Sequence, residues 1–145
     1  LFAPMGLGNT INEKFIESFA KGQSDQEIRE SLNLLFYKKS WVTDSLVHAT
    51  VLQHQNSEFR NILGRLATIL QKQDKQSWQI RDKLQNLSIP VKLIWGKEDQ
   101  ILPSSHAQGL PGSFAVHIFQ NTGHMVHIEQ SQVINRLIGQ NSAQE

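Results

Sequence analysis

Two residues in this sequence stand where one could take up a proton and the other could hold it in position to do so. Asp99 follows the β-rich run Val91-Lys92-Leu93-Ile94-Trp95, and His124 follows the run Ala115-Val116-His117-Ile118-Phe119. In open α/β sheets, reacting groups gather beyond the carboxyl ends of the strands. If the two runs are neighbouring parallel strands, their following turns bring Asp99 and His124 together. A carboxylate beside an imidazole holds the ring's tautomer and orientation, and stabilises the imidazolium formed when the ring takes a proton. Taken singly, Asp99 reads as a turn former and His124 as a surface histidine. Their joint placement is what favours chemistry.

The elements that must position this pair divide the chain into two textures. From about Asn9 to Gln85 the pattern is consecutive helices. The first is expected from about Ile11 to Lys21, stopped by Gly22. The second opens on Ser24-Asp25-Gln26-Glu27, a capping box, with Ile28, Leu32, Leu35 and Phe36 as its apolar positions. A third follows Thr43-Asp44 and a fourth starts near Asn56-Ser57. Gln71–Ser77 reads as an exposed connector, and Ile80, Leu84 and Leu87 as a short amphipathic piece. Ile89-Pro90 cannot continue a helix. Val91–Trp95 is nearly continuous in apolar character, as a buried parallel strand should be. Gly96–Asp99 is its tight turn, Ser104-Ser105 cap a short helix ending at Gly109, and Ala115–Phe119 is the second strand. Asn121–His124 is a loop, and Glu129–Gly139 a closing helix. Strand, helix, strand in this span is a βαβ unit, expected with a right-handed crossover.

Composition narrows the function classes. Lys plus Arg number 14 against 13 Asp plus Glu, and the balance is near even on both sides of Ser88, so no basic platform for nucleic acid exists. The absence of cysteine excludes disulfides, thiolate zinc sites and cysteine nucleophiles, and favours a reducing, cytoplasmic setting. No apolar run approaches the ~18–20 residues of a membrane span. The 145 residues fit one small domain, yet the opening Leu1-Phe2-Ala3-Pro4 reads as the tail of a strand, which points to a piece of a larger domain.

Other candidates have plainer readings. His124, His127 and Glu129 form His-x-x-His-x-Glu, a conceivable metal cluster without the spacing of a helical His-Glu-x-x-His site. Glu129 is better placed at the start of the last helix, where an acidic group suits the dipole. His117 faces the far side of its strand, His48 and His54 are partly exposed in the helical region, and His106 lies on a surface helix. Trp95 is core. Phe36, Tyr37, Trp41 and Phe59 read as helix-packing residues, with a minority left to line an apolar pocket.

The segment Ile89-Pro90-Val91 … Gly96-Lys97-Glu98-Asp99 … Leu102-Pro103 … Gly123-His124-Met125-Val126-His127-Ile128-Glu129 resembles the C-terminal part of an α/β-hydrolase, whose pattern is a P-V-strand, G-x-x-D, a loop with Pro, and G-H-x-x-x-x-E. The resemblance implies that Asp99 is the acid and His124 the base of a Ser-Asp-His triad. It implies three stretches: residues 1–8 as the end of a core strand and loop, 9–87 as a helical cap or lid, and 88–145 as the C-terminal α/β part of the core. Within the family, Leu1–Gly8 and Gly123–Glu129 look most like the hydrolase-like domain of the E2, dihydrolipoamide acetyltransferase, component of acetoin dehydrogenase complexes.

The departure is large. The family nucleophile sits on a G-x-S-x-G elbow, and no such motif occurs here; Gly22-Gln23-Ser24-Asp25-Gln26 lacks the second Gly, and Ser24 is explained as a helix cap. The resemblance therefore implies that the parent protein supplies the Ser, and that this chain alone is inactive. It implies a small acyl substrate, docking on the N-terminal half of the same domain, and no cofactor within this chain, a lipoyl group belonging to the parent if it is an E2 component. An uncovered sheet edge is expected to promote self-association. The alternative is a non-catalytic helical interaction module with a small α/β tail, which requires Asp99 and His124 to lie apart.

Overall fold

A computed structural model describes residues 1–72, 79–84 and 86–139. Four helices come first: α1 (Glu13–Lys21), α2 (Asp25–Asn33), α3 (Asp44–Gln55) and α4 (Ser57–Lys72). Their starts follow from local chemistry. The Asn12 side chain accepts the Phe15 N–H at 3.0 Å, so α1 begins at Glu13, two residues later than the apolar pattern suggests. Ser24 and Glu27 close the expected capping box in both directions, and Thr43 caps α3 through the Leu46 N–H. The connector expected over Gln71–Ser77 lies, from residue 73, outside the described residues.

The second half holds α5 (Arg81–Leu84), β1 (Val91–Gly96), a 3-10 turn (Ser104–Ala107), β2 (Phe114–Phe119), α6 (Val126–Glu129) and α7 (Ser131–Gly139). β1 and β2 are parallel, with Val91 opposite Phe114 and Gly96 opposite Phe119. Residues 1–3 run along the other edge of β1: Phe2 bridges Ile94 in parallel, Ala3 N–H donates to Ile94 O at 3.0 Å, and Ile94 N–H donates to Leu1 O at 2.9 Å. The single closing helix expected over Glu129–Gly139 is two helices, broken at Gln130. Glu129 ends the first of them instead of opening the second, because the backbone leaves the helical region at Gln130, with φ −122° and ψ 28°.

Side chains of β1 alternate between two apolar layers, as a strand demands. Leu93 and Trp95 pack with Leu7, Leu84, Ile101, Leu102, Ala107 and Phe114 on one face; Ile94 meets Val126 and Ile134 on the other. A separate helical cluster is built from Ile28, Leu32, Phe36, Val42, Val47 and Val51, and Met125 and Ile128 reach into it from the α6 segment. Arg81 ties the loop after residues 1–3 to the 3-10 turn: its guanidinium donates to the carbonyls of Leu7, His106 and Gln108.

Several histidine and aromatic placements differ from expectation. His54 is buried, its ring packed edge-on against Phe19 and Phe59 while Nδ1 bonds to Gly22 O at 2.9 Å, because α3 turns that face toward α1 and α4. His106 is buried too, edge-on to Trp95, since the 3-10 turn folds over the face of β1. Tyr37 and Trp41 are substantially exposed, although Trp41 stacks on the buried Phe36. Among the described residues, no helix is long and apolar enough to cross a membrane.

Candidate active site

The carboxyl ends of β1 and β2 meet with no room to spare. A Cβ on Gly96 would stand 2.1 Å from Gly123 O and 2.3 Å from Thr122 O. Backbone bonds close the seam: Lys97 N–H donates to Phe119 O at 2.8 Å and Glu98 N–H to Thr122 O at 3.1 Å. The Glu98 carboxylate accepts the Thr122 N–H at 2.9 Å, and Asn121 takes a left-handed φ of 54°, a conformation Asn tolerates, to turn the chain after β2. The two turns singled out by the sequence are thus stitched to each other atom by atom.

Across that seam His124 Nδ1 lies 2.8 Å from Asp99 Oδ2. The Asp99 side chain is completely buried. Its Oδ1 accepts the N–H groups of Ile101 at 2.8 Å and Leu102 at 3.0 Å, and Oδ2 also accepts the Trp95 indole N–H at 2.9 Å. A buried carboxylate costs free energy unless its lone pairs are met, and here donors from β1, the turn and the imidazole meet them. The same donors leave the carboxylate one orientation. His124 must present Nδ1–H to it, which fixes the tautomer and leaves Nε2 as the ring's proton acceptor. The His124 side chain keeps about a quarter of its surface open to solvent. Such a pair can draw a proton from a hydroxyl presented at Nε2 and return it to a leaving group.

The His-x-x-His-x-Glu run does not gather into a cluster. Among the described residues, no group of three or more His, Cys, Asp and Glu side chains is placed to hold a metal ion. His127 packs its ring against Phe2. Glu129 instead accepts four contacts from backbone N–H groups: Tyr37 at 3.0 and 3.2 Å, Lys38 at 3.1 Å and Gly123 at 2.6 Å.

Two residues of this site were not assigned there from sequence. Trp95 was placed in the core, where it is, but its donation to Asp99 was not foreseen. The Trp-x-x-x-Asp spacing across a strand-ending turn is the signal that could have pointed to it. Glu129 was given to a helix start. Its donors at Tyr37 and Lys38 lie some ninety residues upstream, and backbone N–H groups leave no mark in a sequence.

No family model matches the chain. It is 29% identical over 138 residues to the dihydrolipoyllysine-residue acetyltransferase component of the acetoin cleaving system from Cupriavidus necator, covering 95% of this chain and 37% of that protein. It is 25% identical over 149 residues to a 2-hydroxy-6-oxononadienedioate/2-hydroxy-6-oxononatrienedioate hydrolase from Comamonas testosteroni, covering 94% of this chain and 51% of that protein. A solved serine hydrolase from Cycloclasticus zankles superposes with a TM-score of 0.81 at 19% sequence identity, over 100% of this chain and 56% of its own. The chain therefore has the α/β-hydrolase fold, and it spans about half or less of the length of these relatives. Those relatives are hydrolases or acyltransferases.

Proposed function

We propose that this chain, sharing part of the α/β-hydrolase fold, is the C-terminal part of an enzyme that transfers or hydrolyses an acyl ester or thioester. In this reading Asp99 orients His124, and His124 is the base. The nucleophile is a serine carried on residues that precede Leu1 in the parent. His124 Nε2 takes the serine hydroxyl proton as the oxygen attacks the acyl carbonyl. The proton then passes to the departing alcohol or thiol as the acyl-enzyme forms. In the second half, His124 takes a proton from water or from another acyl acceptor and returns it to the serine. Asp99 stays ionised throughout and offsets the charge of the imidazolium.

One observation carries this reading: a wholly buried carboxylate, saturated by donors, with an imidazole nitrogen 2.8 Å away on a ring that keeps about a quarter of its surface open. An interaction module has no use for so costly a pair, and it requires the two residues to lie apart. The thioester option draws on the printed name of the Cupriavidus necator relative. A lipoyl group would enter only as the carrier of the acyl group, supplied by another part of the parent or its complex. The helices before β1 act as the cap, and the N-terminal half of the domain docks on the edge formed by residues 1–3.

The test is turnover of a short acyl ester by the intact protein and its variants. Asp99→Asn should lower kcat by about 10⁴-fold by favouring the wrong His tautomer, and His124→Ala by a comparable factor. The chain alone should show no turnover. Full activity in Asp99→Asn, or robust turnover by the chain alone, would remove the reading.

A further inference from the structure

The helical region is anchored to both turns of the Asp99–His124 pair, and the two anchors are built differently. On the Asp99 side, Asn12 donates its backbone N–H to Ile101 O at 2.9 Å and its side-chain amide to Gln100 O at 2.8 Å. These are two ordinary neutral bonds at the start of α1. On the His124 side the anchor is a single charged group. The Glu129 carboxylate gathers the N–H groups of Tyr37 and Lys38 from the helical region and of Gly123 from the His124 loop. Met125 N–H answers by donating to Leu35 O at 3.0 Å. Gly123 itself lies so close to residues 35–37 that a Cβ would come within 2.8 Å of Leu35 O and of Tyr37 N. Met125 is therefore bonded directly to the 35–38 segment and Gly123 packs against it, and among the described residues Glu129 is the side chain that hydrogen-bonds to both sides.

We propose that Glu129 is a positioning residue: it clamps the 35–38 segment onto the His124 loop and so sets the height and angle of the imidazole over Asp99. The proposal deepens the function proposed above and rests on it for its catalytic consequence, but its structural half stands without any activity. All the donors are backbone N–H groups, so the acceptor must be a carboxylate. An amide at this position would turn an NH₂ toward at least one of them, placing donor against donor. Bonds between N–H groups and a charged acceptor are roughly twice as strong as neutral ones, which suits a joint that has to hold while other parts of a cap move. The clamp also makes the 35–38 segment a fixed edge, so opening of the helical region would have to hinge around it.

The experiment uses the intact protein with Glu129→Gln and, as a variant that leaves the carboxylate in place, Lys38→Pro, which removes one N–H donor at a position whose φ of −87° lies near the proline range. Proton NMR follows the far-downfield signal of His124 Nδ1–H, which Asp99→Asn identifies by abolishing it. Amide hydrogen exchange follows Tyr37, Lys38 and Gly123, and ester turnover follows kcat and KM. The expected result for Glu129→Gln is at least tenfold faster exchange at Tyr37, Lys38 and Gly123. The downfield signal should broaden or shift, and kcat should fall about tenfold with a smaller change in KM. Lys38→Pro, which has no amide proton at position 38, should produce the same pattern more weakly at Tyr37 and Gly123. Unchanged exchange would overturn the clamp. Faster exchange with an unaltered His124 signal and unaltered kcat would reduce Glu129 to a structural role and overturn the positioning. If Glu129→Gln does not fold, Lys38→Pro decides by the same readouts. If the wild type turns over no ester, the proposed function fails, while amide exchange still decides the clamp and the His124 signal still decides the positioning.

Discussion

His106 shows how one side chain can tie stability to acidity without touching the reaction. Its ring is buried edge-on against Trp95, the residue that donates to Asp99, and its Nδ1 has no hydrogen-bond partner. Burial, and secondarily the charge of Arg81, hold its pKa below the ordinary histidine value, with the more distant pull of Asp99 opposing them. The sign follows from linkage. The unfolded chain binds a proton near pH 6.5, while the folded chain resists it, so the unfolded state holds more protons once the pH drops below that value. Stability should therefore be level above about pH 7 and fall on acidification. The thermal midpoint of wild type should drop more between pH 7.5 and 5.5 than that of His106→Phe; parallel curves would contradict this. Sequence placed His106 on a surface helix because nothing in Ser104–Gly109 announces that the turn folds inward. Asp99 and His124 were legible for the opposite reason: each follows an apolar β-rich run, and strand ends are the one place where a local pattern implies a meeting of distant residues. Glu129 was visible as a residue of interest and opaque in its role, since its partners are main-chain atoms of another region.

At the scale of elements, the seam between β1 and β2 is governed by Gly96. It has ordinary φ, so its need for glycine is one of space, not of backbone conformation. Gly96→Ala would drive a methyl into the carbonyls of Thr122 and Gly123, rigid backbone that cannot rotate aside. The turns would have to separate, taking Asp99 from His124. We expect a loss of several kcal/mol of stability, in the range of a severe overpacking change, measured by urea unfolding, together with disappearance of the His124 Nδ1–H signal; a variant of wild-type stability would refute the tightness of the seam. The strands, the order of the helices and the capping box were all readable, because period, β-branched content and the Ser-x-x-Glu spacing are local signals. The break between α6 and α7 was not. Val133, Ile134, Leu137 and Ile138 all lie beyond it in α7, and no local pattern marks the irregular backbone at Gln130, with φ −122° and ψ 28°, where the first helix ends.

Over the whole molecule, apolar surface is distributed unevenly. Ile62, Leu66 and Ile69 form an exposed stripe along α4 at helical spacing, while Leu1, Phe2 and Met5 are exposed beside the outer edge of the residue 1–3 segment. Unpaired edges with apolar neighbours invite pairing with another chain. The chain by itself is expected to associate at high concentration, seen by light scattering as a mass that grows with concentration. A monomer throughout would argue that these surfaces are adequately solvated as they stand.

The clamp also bears on how such proteins can be re-engineered. A helical region grafted from a relative onto this core would need more than a matching apolar face. It would have to bring a carbonyl to the place of Leu35, two consecutive N–H groups to the places of Tyr37 and Lys38, and a gap beside them no wider than a glycine. Donor segments can be screened for that backbone signature before any side chain is chosen, and a chimera lacking it should fold as two acceptable halves with the His124 ring held at no fixed angle.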